Sequence, residues 1–437
     1  MSKITFLGAG STVFAKNVLG DCMLTESLRD SHIALYDIDE KRLKESELML
    51  KNINDNCNES KATIVAYTDR KAALKDATYV VNAIQVGGYD PCTITDFEIP
   101  KKYGLRQTIA DTLGIGGIFR ALRTIPIMMD FARDMEEVCP DAWFLNYTNP
   151  MSMLTLAMQK ATKVKTIGLC HSVQVCADHL IRGLNEAGYD LPTEDLQWKI
   201  AGINHMAWLL ELTHKGEDLY PQVRQIAKEI DIKHKDMVRF EIMKHFGYYV
   251  TESSEHNAEY MPYFIKDKYP EIIDKLNIPL DEYPRRCVEQ IEKWETMRDE
   301  LVNDSSLTHE RTHEYASYIM EAMETGQPYT IGGNVLNTGL ITNLPEECCV
   351  EVPCVVDRSG ITPCYVGALP EQLAALNRTN INVQLLTVEA ALTGKKEHIY
   401  HAAMLDPHTS SELSIDDIIA LCDELIEAHG DWLPEFK

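Results

Sequence analysis

The 437-residue sequence has no apolar run close to the roughly 20 residues that a membrane helix needs. Basic residues are scarce, since 42 Lys and Arg stand against 67 Asp and Glu and give a net charge of −25. This charge argues against nucleic acid and anionic membrane surfaces as partners. The chain also has no internal repeat and no low-complexity tract. These absences leave a globular protein with ordinary composition.

The 12 cysteines include no CxxC pair, and Cys348 and Cys349 are adjacent, a poor arrangement for a disulfide. The opening Met-Ser-Lys precedes a strand pattern directly, so we expect no signal peptide. Free thiols without a secretion signal are typical of a reducing compartment. We therefore expect a cytoplasmic protein.

The N-terminal residues carry the pattern of a dinucleotide-binding unit. An apolar strand, Ile4–Leu7, runs directly into Gly8-Ala9-Gly10-Ser11-Thr12, and a helical pattern follows. Glycines let the backbone approach a pyrophosphate, and the free N–H groups at a helix N-terminus face it. We predict that Gly8, Gly10 and Ser11 contact a dinucleotide.

A second apolar strand, Ile33–Tyr36, ends in Asp37. This carboxylate is placed to accept hydrogen bonds from a ribose diol and would repel a 2′-phosphate, which favours NAD over NADP. Val13 occupies the position of the third glycine of the GxGxxG fingerprint. We expect helix and strand to stand slightly further apart for that reason.

Strand and helix patterns alternate through the first half of the chain. Further strands are predicted at Thr63–Val65, Tyr79–Ile84, Ala142–Leu145, Thr166–Leu169, Lys199–Ala201, Cys348–Pro353 and Tyr365–Val366. Helices are predicted at Val13–Met23, Lys41–Asn56, Ile118–Val138, Pro221–Lys244 and Pro370–Leu392, and two more end the chain. We expect the helix at Ile118–Val138 to break at Pro126. Such alternation predicts an α/β fold with a Rossmann-type doubly wound parallel sheet. Since the length suggests two domains, we expect an NAD-binding domain at 1–195 and an α+β domain at 196–437.

Polar clusters follow four predicted strands, and ligands bind beyond such strand ends. They are Gln85–Gly88, Asn146–Pro150, Cys170–Ser172 and Asn204–His205. Cys170 as thiolate and His205 as neutral imidazole form a plausible metal pair, although either could be an ordinary core residue. The glycine-rich Thr108–Gly117 could be a connector or a loop that folds over ligands with Asp111. The polar run Thr251–Tyr260 could be a solvated loop or hold proton-transfer groups.

Together these residues resemble a known family, glycoside hydrolase family 4. The shared motifs are GAGST, VGGY, ADTLGIGG, NYTNP, GLCHS, AGINH and TESSEH, in order from residue 8 to residue 256, continuing through DEYPRRC, INVQ, YHAAMLDPHT and AHGDWLP. The resemblance implies a lactate/malate dehydrogenase-like fold, bound NAD and a divalent metal, commonly manganese. It also implies hydride removal from C3 of the sugar, deprotonation at C2, elimination of the C1 substituent, water addition and return of the hydride. This route departs from the two-carboxylate mechanism of most glycosidases.

The resemblance also implies roles for individual residues. Cys170 and His205 match the metal ligands, and His171 occupies the position of the leaving-group acid. The adjacent metal favours neutral imidazole, however, which opposes the acid role of His171. Tyr260 is our candidate for the base at C2, and Glu255, His256 and Glu259 are its rivals.

Asn149 matches a substrate-binding residue of the family, Asp111 is expected near the sugar or metal, and Arg286 corresponds loosely to a substrate-contacting arginine. Members that act on 6-phosphorylated sugars carry an arginine near the region of Gly88–Thr95, which has none here. Asp90 and Asp96 would instead repel a phosphate. We therefore expect an α-galactosidase acting on unphosphorylated galactosides such as melibiose.

Other functions fit parts of the sequence. Within the family, an α-glucosidase or α-glucuronidase is the alternative. A 2-hydroxyacid dehydrogenase would need a carboxylate-binding arginine and a catalytic His–Asp pair, and no such combination can be recognised in the sequence. A non-catalytic NAD sensor would be expected to lack the metal pair Cys170 and His205. By resemblance alone, we expect a homodimer or homotetramer.

Overall fold

The computed structural model describes residues 1–230, 233–312 and 314–437. The strands are β1 Lys3–Leu7, β2 His32–Tyr36, β3 Thr63–Tyr67, β4 Tyr79–Asn82, β5 Trp143–Asn146, β6 Lys165–Leu169, β7 Leu196–Ile203, β8 Met206–His214, β9 Glu217–Asp218, β10 Tyr249–Val250, β11 Tyr329–Leu336, β12 Cys349–Asp357 and β13 Gly360–Pro363. The helices are α1 Val13–Leu24, α2 Glu40–Cys57, α3 Arg70–Leu74, α4 Ile94–Lys102, α5 Gly114–Val138, α6 Met151–Ala161, α7 His171–Glu186, α8 Tyr220–Glu229, α9 Met237–Phe246, α10 Ser254–Glu259, α11 Glu271–Lys275, α12 Glu282–Val302, α13 Ala316–Thr325, α14 Glu371–Thr393, α15 Lys396–Leu405, α16 Pro407–Glu412 and α17 Ile415–His429.

Six parallel strands form the first part of the sheet, in the order β3-β2-β1-β4-β5-β6. This is the strand order of dinucleotide-binding folds, in which ligands bind beyond the carboxyl ends of the strands. The central strands are apolar and fully buried, as Ile4, Phe6 and Val81 illustrate with no exposed surface. Helices cover the sheet because such strands must be buried on both faces. The predicted Rossmann-type α/β fold is confirmed.

The second half of the chain extends the same sheet with antiparallel strands. β11 pairs with β6, β12 follows it, and β7, β8 and β10 complete the order beyond β12. A single mixed sheet thus runs through both predicted domains. The proposed boundary between residues 195 and 196 lies directly before β7 and stays a prediction.

Three details differ from the sequence-based expectations. The break at Pro126 is wrong, because α5 continues through this residue. The nearby side chains of Ile125 and Met128 are fully buried, so packing stabilises the helix here. The strand at Tyr365–Val366 is wrong, since the edge strand lies earlier, at Gly360–Pro363. The helical pattern at Pro221–Lys244 is divided between α8 and α9, and residues 231–232 of it lie outside the described residues.

None of the helices within the described ranges combines the length and apolar character of a transmembrane segment.

Candidate active site

A cavity of about 1500 Å³ opens at the carboxyl ends of the parallel strands. Residues from all four predicted polar clusters line it: Gln85 after β4, Asn149 after β5, Cys170 and His171 after β6, and His205 after β7. The clusters after β4, β5 and β6 meet there because these parallel strands end at the same edge of the sheet. His205 reaches the cavity from the antiparallel part of the sheet, after β7. The prediction of a shared crevice is confirmed.

One end of the cavity has the features of a dinucleotide cradle. Gly8 has a φ of +86°, and a Cβ at this position would lie 2.7 Å from the carbonyl oxygen of Ala83. Ser11 lines the cavity, and its buried hydroxyl has no hydrogen-bond partner, so it is available to an incoming phosphate. These residues fit the predicted cofactor.

Asp37 lies where the ribose-binding carboxylate is expected, at the end of β2. Its Oδ2 accepts a hydrogen bond of 2.7 Å from the N–H of Gly10. The carboxylate therefore also fixes the glycine turn. The Val13 side chain at the start of α1 is 42% exposed, and the expected wider spacing of helix and strand stays a prediction.

Three side chains that could hold a metal ion meet at the wall of the cavity. The ligand atoms of Cys170, His205 and Glu252 all lie within 4.8 Å of one another. Cys170 is the N-cap residue of α7, His205 lies in the turn between β7 and β8, and Glu252 follows β10. Sequence reasoning named the first two and missed Glu252, which lies in the polar run 251–260. That run contains α10 and forms part of the cavity wall.

The surroundings of Cys170 require a positive charge if its thiolate is to form. Burial and the carboxylates of Glu351 and Glu252 raise the pKa of the Cys170 thiol well above its ordinary value. A divalent cation among these ligand atoms would offset that effect, since a coordinating thiol is deprotonated. The donor set therefore fits a metal site.

A fully buried carboxylate, Glu351, supports the segment that carries His205. Its Oε1 accepts hydrogen bonds from the side-chain amides of Asn204 at 3.3 Å and Asn334 at 2.9 Å. Its second oxygen has no partner, and burial raises the pKa of Glu351 to about 7. Sequence reasoning missed this residue, because a single Glu in an apolar strand carries no signal of its long-range partners.

His171 begins α7 and faces the cofactor end of the cavity. Its Nε2 lies 2.5 Å from Oε2 of Glu314, and its ring stacks on Tyr147 with centroids 5.7 Å apart. The contact leaves Nδ1 as the ring nitrogen free to exchange a proton. Sequence reasoning did not identify Glu314. The acid role of His171 stays a prediction, and the contact with Glu314 fixes the ring through Nε2.

Tyr260 lies beside the metal cluster, behind the cavity wall. Its side chain is 2% exposed, and its hydroxyl contacts the hydroxyl of Thr112 and lies 3.4 Å from Nδ1 of His205. Burial raises its pKa well above the ordinary value. A partner on the second ring nitrogen is what orients a metal-ligating histidine. The contacts thus suit Tyr260 to orienting His205.

The three rivals for the base differ in position. Glu259 is not among the residues that line the cavity, and its carboxylate accepts hydrogen bonds from the N–H groups of residues 108–110. Glu255 lines the cavity but pairs with Arg286, 3.1 Å away. His256 also lines it, with Nε2 3.6 Å from Asp111 and Nδ1 3.8 Å from Glu252.

Two of the predicted sugar-binding residues are adjacent and have unused polar atoms. Asn149 donates a hydrogen bond of 3.4 Å to Asp111, and one oxygen of each side chain is buried without a partner. Although burial opposes ionisation, the nearby His256 ring, with Nε2 3.6 Å from Oδ1, and the charge of Arg120 lower the pKa of Asp111 to about 2. A charged carboxylate and a free amide oxygen can both accept hydrogen bonds from sugar hydroxyls.

Arg286, the third predicted residue, lines the cavity and bridges two carboxylates, Glu255 at 3.1 Å and Glu282 at 2.7 Å. The predicted role of Asp96 in repelling phosphate is wrong. This residue is buried away from the cavity, 2.7 Å from Arg123 and 2.9 Å from His429. Its charge is therefore already compensated inside the protein.

Comparisons with known proteins agree with this geometry. Residues 3–186 match the family 4 glycosyl hydrolases, and residues 200–409 match the family 4 glycosyl hydrolase C-terminal domain. An α-galactosidase of Bacillus subtilis (strain 168) is 68% identical over the full length of both chains.

Solved structures extend the likeness to the fold. The crystal structure of a Bacillus subtilis protein assigned as a glucosidase has a TM-score of 0.87 at 26% identity, with 97% of this chain and 99% of that one covered. A malate dehydrogenase from Plasmodium falciparum has a TM-score of 0.55 at 14% identity, covering 90% and 99%, which shows the predicted dehydrogenase-like fold alone. The matched segments take in most of the sequence and both halves of the sheet, and this chain therefore belongs to glycosyl hydrolase family 4.

Proposed function

We propose that this protein is an α-galactosidase that hydrolyses unphosphorylated α-galactosides such as melibiose. The observation that carries the proposal is a single cavity in which a dinucleotide cradle at Ser11 adjoins the metal-ligand pair Cys170 and His205. The relative that is 68% identical over its whole length is an α-galactosidase, which supports this substrate class over α-glucosides and α-glucuronides.

The proposed cofactors are NAD and a divalent metal, with manganese the expected ion. Gly8, Gly10, Ser11 and Asp37 would hold the dinucleotide, and Cys170 and His205 would hold the metal. When bound, NAD supplies reversible hydride transfer at the sugar C3, and the metal supplies electrophilic stabilisation of charge on the neighbouring sugar oxygens. Two protein ligands from the strand ends leave room for those oxygens.

The chain's own residues would hold the sugar and move protons. Asp111 and Asn149 present their unpaired oxygens to sugar hydroxyls, and Arg286 contributes a guanidinium at the wall. His171, held through Nε2 by Glu314, offers Nδ1 to the leaving oxygen at C1.

Two side chains are candidates for the group that removes the C2 proton. Tyr260 reaches the metal cluster only through His205, and its pKa is raised by burial, so it would need the bound metal to act as a phenolate. His256 lines the cavity, with Nε2 3.6 Å from Asp111 and Nδ1 3.8 Å from Glu252. Loss of C2 proton exchange in Tyr260→Phe with retention in His256→Gln would assign the base to Tyr260, and the reverse result to His256.

Pairing of the cavity's arginines supports an unphosphorylated substrate. Arg120, Arg182, Arg239 and Arg286 line the cavity, and each has a carboxylate partner: Asp111, Asp178, Asp236 and Glu255 respectively. A phosphate would have to compete with these carboxylates for the guanidinium groups.

The proposal is tested with p-nitrophenyl α-galactoside in the presence of NAD, Mn²⁺ and reductant, with controls lacking each addition. We expect hydrolysis to need all three. Undiminished activity after exhaustive removal of NAD and metal would refute the mechanism. A 2-hydroxyacid dehydrogenase would instead reduce NAD stoichiometrically with its substrate, and a non-catalytic NAD sensor would bind NAD without turnover.

For oligomeric state and location, the proposals rest on resemblance and sequence alone. We propose a homodimer or homotetramer in the cytoplasm, whose functional ligand is a small carbohydrate. Light scattering coupled to size-exclusion chromatography measures the assembly directly, and a monomer at micromolar concentration would contradict it.

A further inference from the structure

We propose that Glu252 is a third protein ligand of the metal site and that its carboxylate makes the site prefer manganese over zinc. The proposal deepens the function proposed above, and rests on it only for the presence of a divalent cation at Cys170 and His205. It gives a chemical role to a residue within the polar run 251–260.

The distances among the three ligand atoms suit a shared cation. Oε2 of Glu252 lies 3.6 Å from Nε2 of His205 and 3.9 Å from Sγ of Cys170. Metal bonds of about 2.0 to 2.3 Å separate neighbouring ligand atoms by roughly 3 to 4 Å. His205 directs Nε2 toward Glu252, because its other ring nitrogen, Nδ1, faces Tyr260.

The sheet fixes Glu252 relative to His205 before any metal binds. β10 pairs with β8, with Val250 opposite Trp208, and Thr251 continues the pairing through hydrogen bonds in both directions with Ala207. Glu252 is the next residue along this edge, and His205 lies two residues before Ala207. The two ligands are therefore held by adjacent, hydrogen-bonded segments, as a preorganised site requires.

The two oxygens of the Glu252 carboxylate have different surroundings. Oε1 accepts a hydrogen bond of 3.1 Å from the N–H of Ser253 and faces His256, whereas Oε2 faces Cys170 and His205. One oxygen is thus anchored, and the other is directed into the ligand cluster. Anchoring of this kind orients ligating carboxylates in metal sites.

The chemistry of the set accounts for the preferred ion. A thiolate and an imidazole alone favour zinc, whereas carboxylate oxygens suit manganese. With Glu252 included, two negative ligands and one neutral ligand match the double charge of the cation. The Cys170 and His205 side chains are more than nine-tenths buried, so this charge balance matters more than it would in water.

Metal binding by the purified full-length protein tests the proposal without depending on activity. Glu252→Gln keeps the shape but removes the charge, and Glu255→Gln makes the same change at a nearby cavity carboxylate outside the cluster. Mn²⁺ and Zn²⁺ affinities are measured by calorimetry, and Co²⁺ substitution reports the ligand set by visible absorption. Cys170→Ser serves as the positive control for loss of a ligand.

We expect Glu252→Gln to weaken Mn²⁺ by more than about 100-fold, beyond the 10- to 100-fold typical of outer-shell partners. Zn²⁺ should weaken less, the Co²⁺ ligand-field bands should shift, and Glu255→Gln should match wild type. A smaller loss of Mn²⁺ affinity, an equal loss of Zn²⁺, or an unchanged Co²⁺ spectrum would overturn the proposal. If Glu252→Gln does not fold, Glu252→Ala replaces it, and an unchanged Co²⁺ spectrum in that variant would have the same meaning.

The two proposals fail in different ways. If the wild-type protein binds Mn²⁺ through Glu252 but hydrolyses galactosides equally well without Mn²⁺, the proposed mechanism is contradicted and the assignment of Glu252 as a ligand stands. If hydrolysis depends on the metal but Glu252→Gln leaves metal affinity unchanged, the proposed mechanism stands and the assignment of Glu252 as a ligand is contradicted. A wild-type protein that binds no divalent cation would overturn both.

Discussion

Replacement of Glu259 by Gln should loosen the loop that carries Asp111 into the cavity. One oxygen of Glu259 accepts hydrogen bonds from the N–H groups of Thr108 and Ile109, and the other accepts one of 3.0 Å from Ala110. Burial raises the pKa of this carboxyl to about 7, so measurements at pH 8 address the ionised form. The glutamine amide would face one of these donors with its own N–H groups.

The structure sets the size of the effect. One buried N–H without an acceptor costs about 1 to 3 kcal/mol, and the remaining bonds lose the strength that a charged acceptor gives. We therefore expect local destabilisation of about 2 to 4 kcal/mol, which corresponds to roughly 30- to 1000-fold faster amide exchange in the loop. The KM for the galactoside should rise as the loop loosens, since the proposed sugar-binding residue Asp111 directly follows Ala110 in this loop.

Hydrogen–deuterium exchange with mass spectrometry resolves this loop from the rest of the chain. Glu255→Gln is the matched control, because the Glu255 carboxylate pairs with Arg286 and contacts none of these amides. Equal exchange at residues 107–113 in wild type and Glu259→Gln would refute the reasoning, as would acceleration of the same size in the control.

Three further predictions follow from other contacts. The raised pKa of Glu351 means that the native state retains a proton between pH 4.5 and 7 that the unfolded chain releases, so the contribution of Glu351 to stability falls as pH rises across that window. Relative to its effect at pH 4.5, Glu351→Gln should therefore stabilise the metal-free protein at pH 8 by up to about 3 kcal/mol, as measured by urea unfolding. Glu314→Gln should lower kcat about tenfold or more with little change in KM, and Glu314→Asp should restore part of it, since the carboxylate positions His171. Cys170→Ser should remain folded but lose stoichiometric Mn²⁺, as measured by elemental analysis.

The sequence determined much of the first half of the molecule. Hydrophobic periodicity placed all six parallel strands to within a few residues, because such strands are buried on both faces and read as continuous apolar runs. Strand ends then located Cys170 and His171 at the edge where the parallel strands finish. That inference needed only the rule that parallel strands finish together.

The sequence failed where a residue's meaning depends on distant partners. Glu252, Glu314 and Glu351 each meet the site from separate segments, and a single glutamate carries no local sign of such contacts. Asp96 was wrongly predicted to repel a phosphate, because the sequence gives no sign of its pairing with Arg123 and His429.

What the sequence by itself determined was the parallel sheet, the cofactor-like glycine turn at Gly8 and Gly10, and the two metal-ligand candidates Cys170 and His205. These signals are local, because each is encoded by a strand and the residues that follow it. Only the tertiary structure decided which carboxylates face the ligands, that Tyr260 approaches from behind His205, and that both halves share one sheet. Burial and long-range pairing fix these features, and they arise only when the chain is folded.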